Sequence, residues 1–530
     1  MTRLDAIQSR RQFVRGAACV TAGALALPSL AICQGGQEVV ETAHGRIRGV
    51  TLDGIKCFRG IPYGADTGGR NRFLPPQKPA RWSGVRDCTD WGHVAPQHIN
   101  PNPSAYTKYV GWNNYRGGMS EDCLVVNVWT PALRDNGKRP VMFIIHGGGY
   151  TSGSGNLEAL EGQHLAKLAN MVVVTVNHRL GMLGFADLSG FGADELRNSG
   201  NVGMLDLVLA LEWVRENIGQ FGGNPQSVTI TGQSGGGGKC SHLMAMPSAR
   251  GLFHKVAIQS GSTLKTGRHE DRQKDAERLC TKLGVATGEL AKLQSVAFRD
   301  IVDNQANAGP VLDSNAVPRD PFDPDAPAIS AAVPMIIGTC LEDAGFTITD
   351  TSDDGASLRK WVENQLRPLK AEEKADEVLA LYRKHYPHEN GFLLRAIFAT
   401  DRGMRRSAVT QAERKAAQGG APVYMYRWDW PAHGEGAHWG AVHGTDLSPA
   451  FANPTTAMTG NSEGGKRLAL QLGSAFAAFA RTGNPNHSGI PTWSPYNESE
   501  RPVMVFHSET RQLNDPNREL RQMWDRILAK

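Results

Sequence analysis

The sequence predicts an α/β fold: a central, mostly parallel sheet covered by helices on both faces. Three observations carry that prediction. Short apolar runs recur without alternation, stretches with helical spacing lie between them, and Gly/Asn/Pro punctuation separates the two. Continuous apolar runs are what strands buried on both faces require. Strands alternating with helices imply βαβ units.

The first stretch of the chain belongs to sorting rather than to the fold. Ser9-Arg10-Arg11-Gln12-Phe13-Val14-Arg15 is a twin-arginine pattern, followed by an apolar, Ala-rich run from Ala17 to Leu27. Small residues at Ser29 and Ala31 suit cleavage after Ala31. The apolar run is shorter than the about 20 residues that span a bilayer. Residues 1–31 are therefore expected to be an export signal, and 32–530 a single domain delivered to the periplasm or secreted, with no membrane span. Leu30-Ala31-Ile32-Cys33 resembles a lipoprotein box, but Ile32 is larger than that cleavage normally accepts, so lipidation at Cys33 is a secondary reading.

Export also corrects the charge. The formal +5 includes four arginines of the leader against Asp5, so the mature chain is near +2. With no basic stripe interleaved with aromatics, nucleic-acid binding is not expected. Runs such as Lys370-Ala371-Glu372-Glu373-Lys374 read as a solvated helix face. Cys57, Cys88, Cys123, Cys240, Cys280 and Cys340 are widely spaced, with no C-x-x-C and no zinc pattern.

Five buried strands are predicted in order. They are Pro140 to Ile145, Met171 to Val176, Ser227 to Ile230, Pro334 to Ile337 and Val423 to Tyr426. Between the second and third, Leu205, Leu209 and Trp213 recur with Val208, Leu211 and Val214 at helical spacing. Phe221-Gly222-Gly223-Asn224-Pro225 stops that helix. Residues 265–330 and 350–420 are more polar and helix-like, and are expected to be helical excursions around the mouth of a substrate site.

The sharpest chemical signal is Gly232-Gln233-Ser234-Gly235-Gly236, which follows a buried strand and precedes a Gly-rich segment suited to open a helix. A nucleophilic Ser on a strained strand-to-helix turn needs small flanking residues so that the chains can pass closely. The helix also directs N–H groups and its positive dipole end at the same point. A phosphate-loop reading of Gly232 to Lys239 fails at both ends. Gln233 stands five before Gly238 where a Gly is needed, and Cys240 follows Lys239 where a hydroxyl is needed.

His146-Gly147-Gly148-Gly149-Tyr150 follows another strand, and its glycines let backbone N–H groups turn towards a developing oxyanion. A Ser needs a base, and the base an orienting acid. His443, in a Gly-flanked loop after the last predicted strand, sits where the base should lie, with His433 and His438 nearby. Their spacing does not suit one helix face and no His-Glu-x-x-His occurs, so no metal is expected. After the fourth strand, Glu342 and Asp343 are adjacent carboxylates. Only one can face His443, and pattern alone does not choose.

These residues closely resemble the type-B carboxylesterase family, which includes the cholinesterases, from about Val40 to Asp515. Phe58-Arg59-Gly60-Ile61-Pro62-Tyr63, Glu121-Asp122-Cys123-Leu124, Asn177-His178-Arg179-Leu180-Gly181 and Ala480-Arg481-Thr482-Gly483-Asn484-Pro485 stand in the family's order. The resemblance implies an α/β-hydrolase fold, ester hydrolysis without a cofactor, Ser234 as nucleophile and His443 as base. It implies oxyanion donors at Gly148, Gly149 and Gly235. Counting from Gly338 as the family does reaches Asp343 as the acid, with Glu342 the alternative. It also suggests a Cys88–Cys123 disulfide. Gln233 stands where the family often has Glu, and the lost charge argues against a cationic ester. The substrate is expected to be a small-molecule ester. Amide, carbamate or polyester cleavage, an interfacial lipase and a non-catalytic adhesion relative are the alternative readings. Oligomeric state is open.

Overall fold

The structure, a computed structural model, describes residues 37–112, 115–453 and 458–528. The proposed signal and Cys33 lie outside these residues. The strands are β1 (Gln37–Thr42), β2 (Gly45–Leu52), β3 (Ile55–Pro62), β4 (Val85–Asp87), β5 (Val125–Thr130), β6 (Arg139–Ile145) and β7 (Val172–Val176). They continue as β8 (Gly223–Gln233), β9 (Lys255–Gln259), β10 (Met335–Cys340), β11 (Val423–Trp428), β12 (Pro502–Phe506) and β13 (Arg511–Asn514).

One sheet joins them in the order β1-β2-β3-β5-β7-β6-β8-β9-β10-β11-β12-β13, with β4 beside β2. From β7 to β12 every pairing is parallel. The remaining pairings along that order are antiparallel, and β4 lies parallel to β2. The five predicted strands are β6, β7, β8, β10 and β11. β9 escaped prediction because it is five residues long and has polar ends, Lys255 and Gln259.

Alternate side chains of the central strands feed two cores. Val141, Phe143 and Ile145 of β6 enter one, together with Met204, Leu207, Leu211 and Trp213 of the helix Val202–Asn217. Met142 and Ile144 enter the other, with Leu468, Leu472, Phe476 and Phe479 of the helix Glu463–Thr482. That second helix is capped at both ends: the Ser462 side chain accepts from Gly465 N–H, and Gly483 ends it at φ 80°. Covering both faces is what continuous apolar strands demand.

The excursions differ from one another. Helices His269–Lys282, Leu290–Ser295 and Phe298–Asp303 gather a satellite core with Met182 and Leu183. Helices Gly355–Leu366, Ala375–His385 and Gly391–Arg402 form another with the C-terminal helix Arg518–Leu528. The helix Met404–Ala417 corrects the expectation for 350–420. Ala408 and Ala412 are small enough to seat it on the sheet beside Met335 and Val423, so it covers the main core rather than standing off it.

The Cys88–Cys123 bridge is not formed. Both residues are buried free thiols. Cys123 lies by the buried Arg179–Asp206 ion pair, whereas Cys88 follows β4 between Arg86 and Asp87 in charge environment, and burial raises both thiols above their ordinary range. Among the described residues no helix is long and apolar enough to cross a membrane.

Candidate active site

The parallel strands bring four loops to their carboxyl ends, at the point where the chain order reverses around β6. There β7 lies on one side of β6 and β8 on the other. Open α/β sheets bind ligands at such a point.

Ser234 is the hinge between β8 and the helix Gly235–Ala245, and adopts φ 57°, ψ −126°. A non-glycine residue there carries strain of order 1–3 kcal/mol and persists only when its surroundings hold it. They do. Ser234 N–H donates to Gln259 O at 2.8 Å, and Ser234 O accepts from Gly238 N–H at 3.1 Å. The helix start presses against the end of β6 so closely that a Cβ on Gly236 would lie 2.1 Å from Ile145 O. The Ser234 side chain stays half-buried.

The loop after β6 lies alongside. Gly148 and Gly149 have φ 86° and 63°, conformations that glycine adopts freely. The Gly148 carbonyl is tied back by Ser152 N–H at 3.1 Å and Ser152 Oγ at 3.0 Å. Gly149 packs on Gly235, where a Cβ would stand 2.2 Å from Gly149 O. The three glycines expected to donate to an oxyanion thus meet beside Ser234. Underneath, the His146 and His178 rings stack at 4.9 Å, and buried Lys239 donates to His146 O at 3.2 Å. Burial without an acidic partner drops the Lys239 amine to about 7.

His443 is buried, and its Nδ1 lies 2.5 Å from Asp343 Oδ1. The other oxygen of Asp343 accepts from Cys340 N–H at 3.1 Å. Glu342 turns away: its Oε2 accepts from Ala441 N–H at 2.7 Å, and its own N–H donates to Ala441 O at 3.2 Å. The two carboxyls therefore divide the work. Asp343 meets the imidazole, and Glu342 ties down the loop that carries it. Burial raises the Glu342 carboxyl to about 8.

Residues that sequence reasoning did not connect to the site complete it. Tyr106 OH donates to His443 O at 2.7 Å. Phe346 stacks on the imidazole at 4.9 Å, and Trp112 meets it edge-on at 6.3 Å. Gln233 Nε2 lies 3.1 Å from His443 Nε2. Below the same loop, Tyr426 OH donates to Asp446 Oδ2 at 2.5 Å. Tyr106 and Trp112 lie in no motif, so nothing local marks them. Gln233 was visible in the sequence, but only as a missing charge. His433 and His438 take no part. His433 precedes the short turn Gly434–Trp439 and His438 lies within it, its Nδ1 3.0 Å from Glu435 O.

Residues 36–524 match the model of the carboxylesterase family. The chain belongs to the carboxylesterase family. This carboxylesterase is 33% identical to the para-nitrobenzyl esterase of Bacillus subtilis over 506 residues, which cover 92% of this chain and 98% of that one. It is 31% identical to mouse neuroligin-2 over 530 residues, covering 87% of this chain and 62% of that longer protein. Among solved structures, the carboxylesterase EST55 of Geobacillus stearothermophilus superposes with a TM-score of 0.78 at 32% identity, covering 92% of this chain and 99% of that one. The fold is that of the α/β-hydrolases, and the activity is carboxylic-ester hydrolysis.

Proposed function

We propose that this carboxylesterase works through an acyl-enzyme on Ser234, with His443 as base and Asp343 as the acid that orients it. One observation carries the reading: His443 holds Asp343 through Nδ1 while its Nε2 reaches the residue next to Ser234. A proton on Nδ1, held by a carboxylate, makes Nε2 the ring nitrogen that carries the lone pair, which takes the Ser234 proton as Oγ attacks the ester carbonyl. N–H groups of Gly148, Gly149 and Gly235 would hold the oxyanion, each donor contributing about 10²–10³ in rate. His443 then protonates the departing alkoxide, and water releases the acid by the reverse steps. No cofactor enters.

The apolar faces of Phe346 and Trp112 beside His443 support an uncharged, apolar group on the alcohol side of the ester. A p-nitrophenyl ester chain-length series with fluorophosphonate labelling tests the whole reading. Wild type should turn over the esters and take up one phosphonate at Ser234, and Ser234→Ala should do neither. Retained labelling in that variant overturns the assignment. Absence of labelling in wild type would favour an adhesion role like that of a non-catalytic relative. The reading includes export through the twin-arginine segment to the periplasm or beyond. Replacing Arg10 and Arg11 by Lys should retain the protein in the cytoplasm, and an unchanged distribution would refute export by this route.

A further inference from the structure

Gln233 is the last residue of β8, and its side chain is buried. Its Nε2 lies within hydrogen-bond distance of His443 Nε2, at 3.1 Å. Two nitrogens bond only when one donates and the other accepts. An amide NH₂ can only donate, so Nε2 presents its lone pair. The ring proton must then sit on Nδ1, facing Asp343 Oδ1 at 2.5 Å. Gln233 Oε1, by contrast, is buried without a partner. Turning the amide over would bring that oxygen to Nε2, and the pairing would then require a proton on both ring nitrogens. The amide as placed therefore fits the tautomer with its proton on Nδ1 and its lone pair on Nε2.

We infer that Gln233 is a positioning residue for the reaction: its amide N–H occupies the Nε2 lone pair of His443 in the resting enzyme and yields it to the Ser234 hydroxyl when substrate arrives. The inference rests on the triad reading above and adds a partner to it. It also gives the Gln-for-Glu departure a consequence. A carboxylate at this spot could not donate to Nε2 and would instead favour imidazolium, which cannot act as base. The other groups facing His443 are constant in this comparison. They are Asp343 after β10, Asp446 on its own loop with its carboxyl tied to Tyr426 OH, Tyr106 OH on its carbonyl, and the uncharged faces of Phe346 and Trp112. Glu342 turns to Ala441 N–H.

The test is the acid limb of the kcat/KM–pH profile, which reports the base in the free enzyme. Gln233→Glu should move that limb up by about one pH unit, so that activity one unit below the wild-type limb falls a further tenfold or so. Gln233→Met, which neither donates nor carries charge, should move it up by less, about 0.3–0.5 unit, with kcat/KM on the alkaline plateau within about tenfold of wild type. A residue needed only for packing would change thermal stability or KM and leave the limb in place. An unmoved limb in Gln233→Met, with fluorophosphonate still labelling Ser234, overturns the inference but spares the triad. Failure of wild type to label overturns the triad instead. Because Gln233→Glu buries a charge and could unfold, the Met variant decides the matter alone if needed.

Discussion

The nucleophile side and the base side of this site are built in different ways. Ser234 is held by backbone: a strand, a helix start, glycine contacts and two main-chain hydrogen bonds, nearly all within a few residues of the motif or on adjoining strands. His443 is held by side chains from far along the chain: Asp343, Gln233, Tyr106, and Glu342 through Ala441. Local backbone strain makes a site rigid and easy to read in sequence. A base hung on distant side chains can be tuned one contact at a time.

The sharpest way to break the nucleophile side is to remove its hydroxyl. Ser234→Ala should lower kcat by at least about 10⁴-fold with the fold intact, as measured by ester turnover against circular dichroism. On the base side, Asp343→Asn should cost about 10³–10⁴ in kcat, because the amide presents the wrong partner to Nδ1. Its neighbour is the contrast. Glu342→Gln keeps an oxygen for Ala441 N–H and should cost less than about tenfold. Equal losses in the two variants would erase the distinction between them.

Packing sets the next effect. Gly236→Ala places a methyl against Ile145 O, which is backbone and cannot rotate away, so it should destabilise the fold by about 1–3 kcal/mol in thermal or denaturant unfolding. In the loop that carries His443 the tight glycine contact is with a side chain instead: a Cβ on Gly440 would lie 2.8 Å from Glu342 Oε2.

The smallest effect is a pH slope. Glu342 keeps its proton up to about 8 in the folded chain, while its ordinary value is 4.5. Between those values the unfolded chain has released a proton that the folded chain retains. Stability therefore falls as pH rises through that window. In Glu342→Gln this share of the slope should vanish, so the variant should gain Tm relative to wild type at pH 8.5 compared with pH 5. An equal offset at both pH values would refute the buried neutral acid.

The same contrast explains what was legible in the sequence. The parallel strands and the Ser234 turn were readable because continuous apolar runs and Gly-x-Ser-x-Gly are local patterns. The choice between Glu342 and Asp343 depends on how the chain turns at the end of β10, where Glu342 pairs with Ala441 across 99 residues and Asp343 is left facing the imidazole. No one-dimensional pattern encodes that. Tyr106 reaches His443 across 337 residues, and a lone Tyr in a loop carries no signal for it. The edge strands β1, β2, β4 and β13 went unread because their polar, half-exposed sequences look like loops until a neighbouring strand pairs with them.

Those separations also bear on how the chain folds. Contacts spanning 100, 210 and 337 residues converge on one histidine, two on its ring and one on its carbonyl, and closures of that length come late because their entropy cost must be met before they return anything. The sheet and the Ser234 turn can therefore assemble while the enzyme is still inert. Recovery of ester turnover during refolding then reports the arrival of the last long-range closure rather than the collapse of the core.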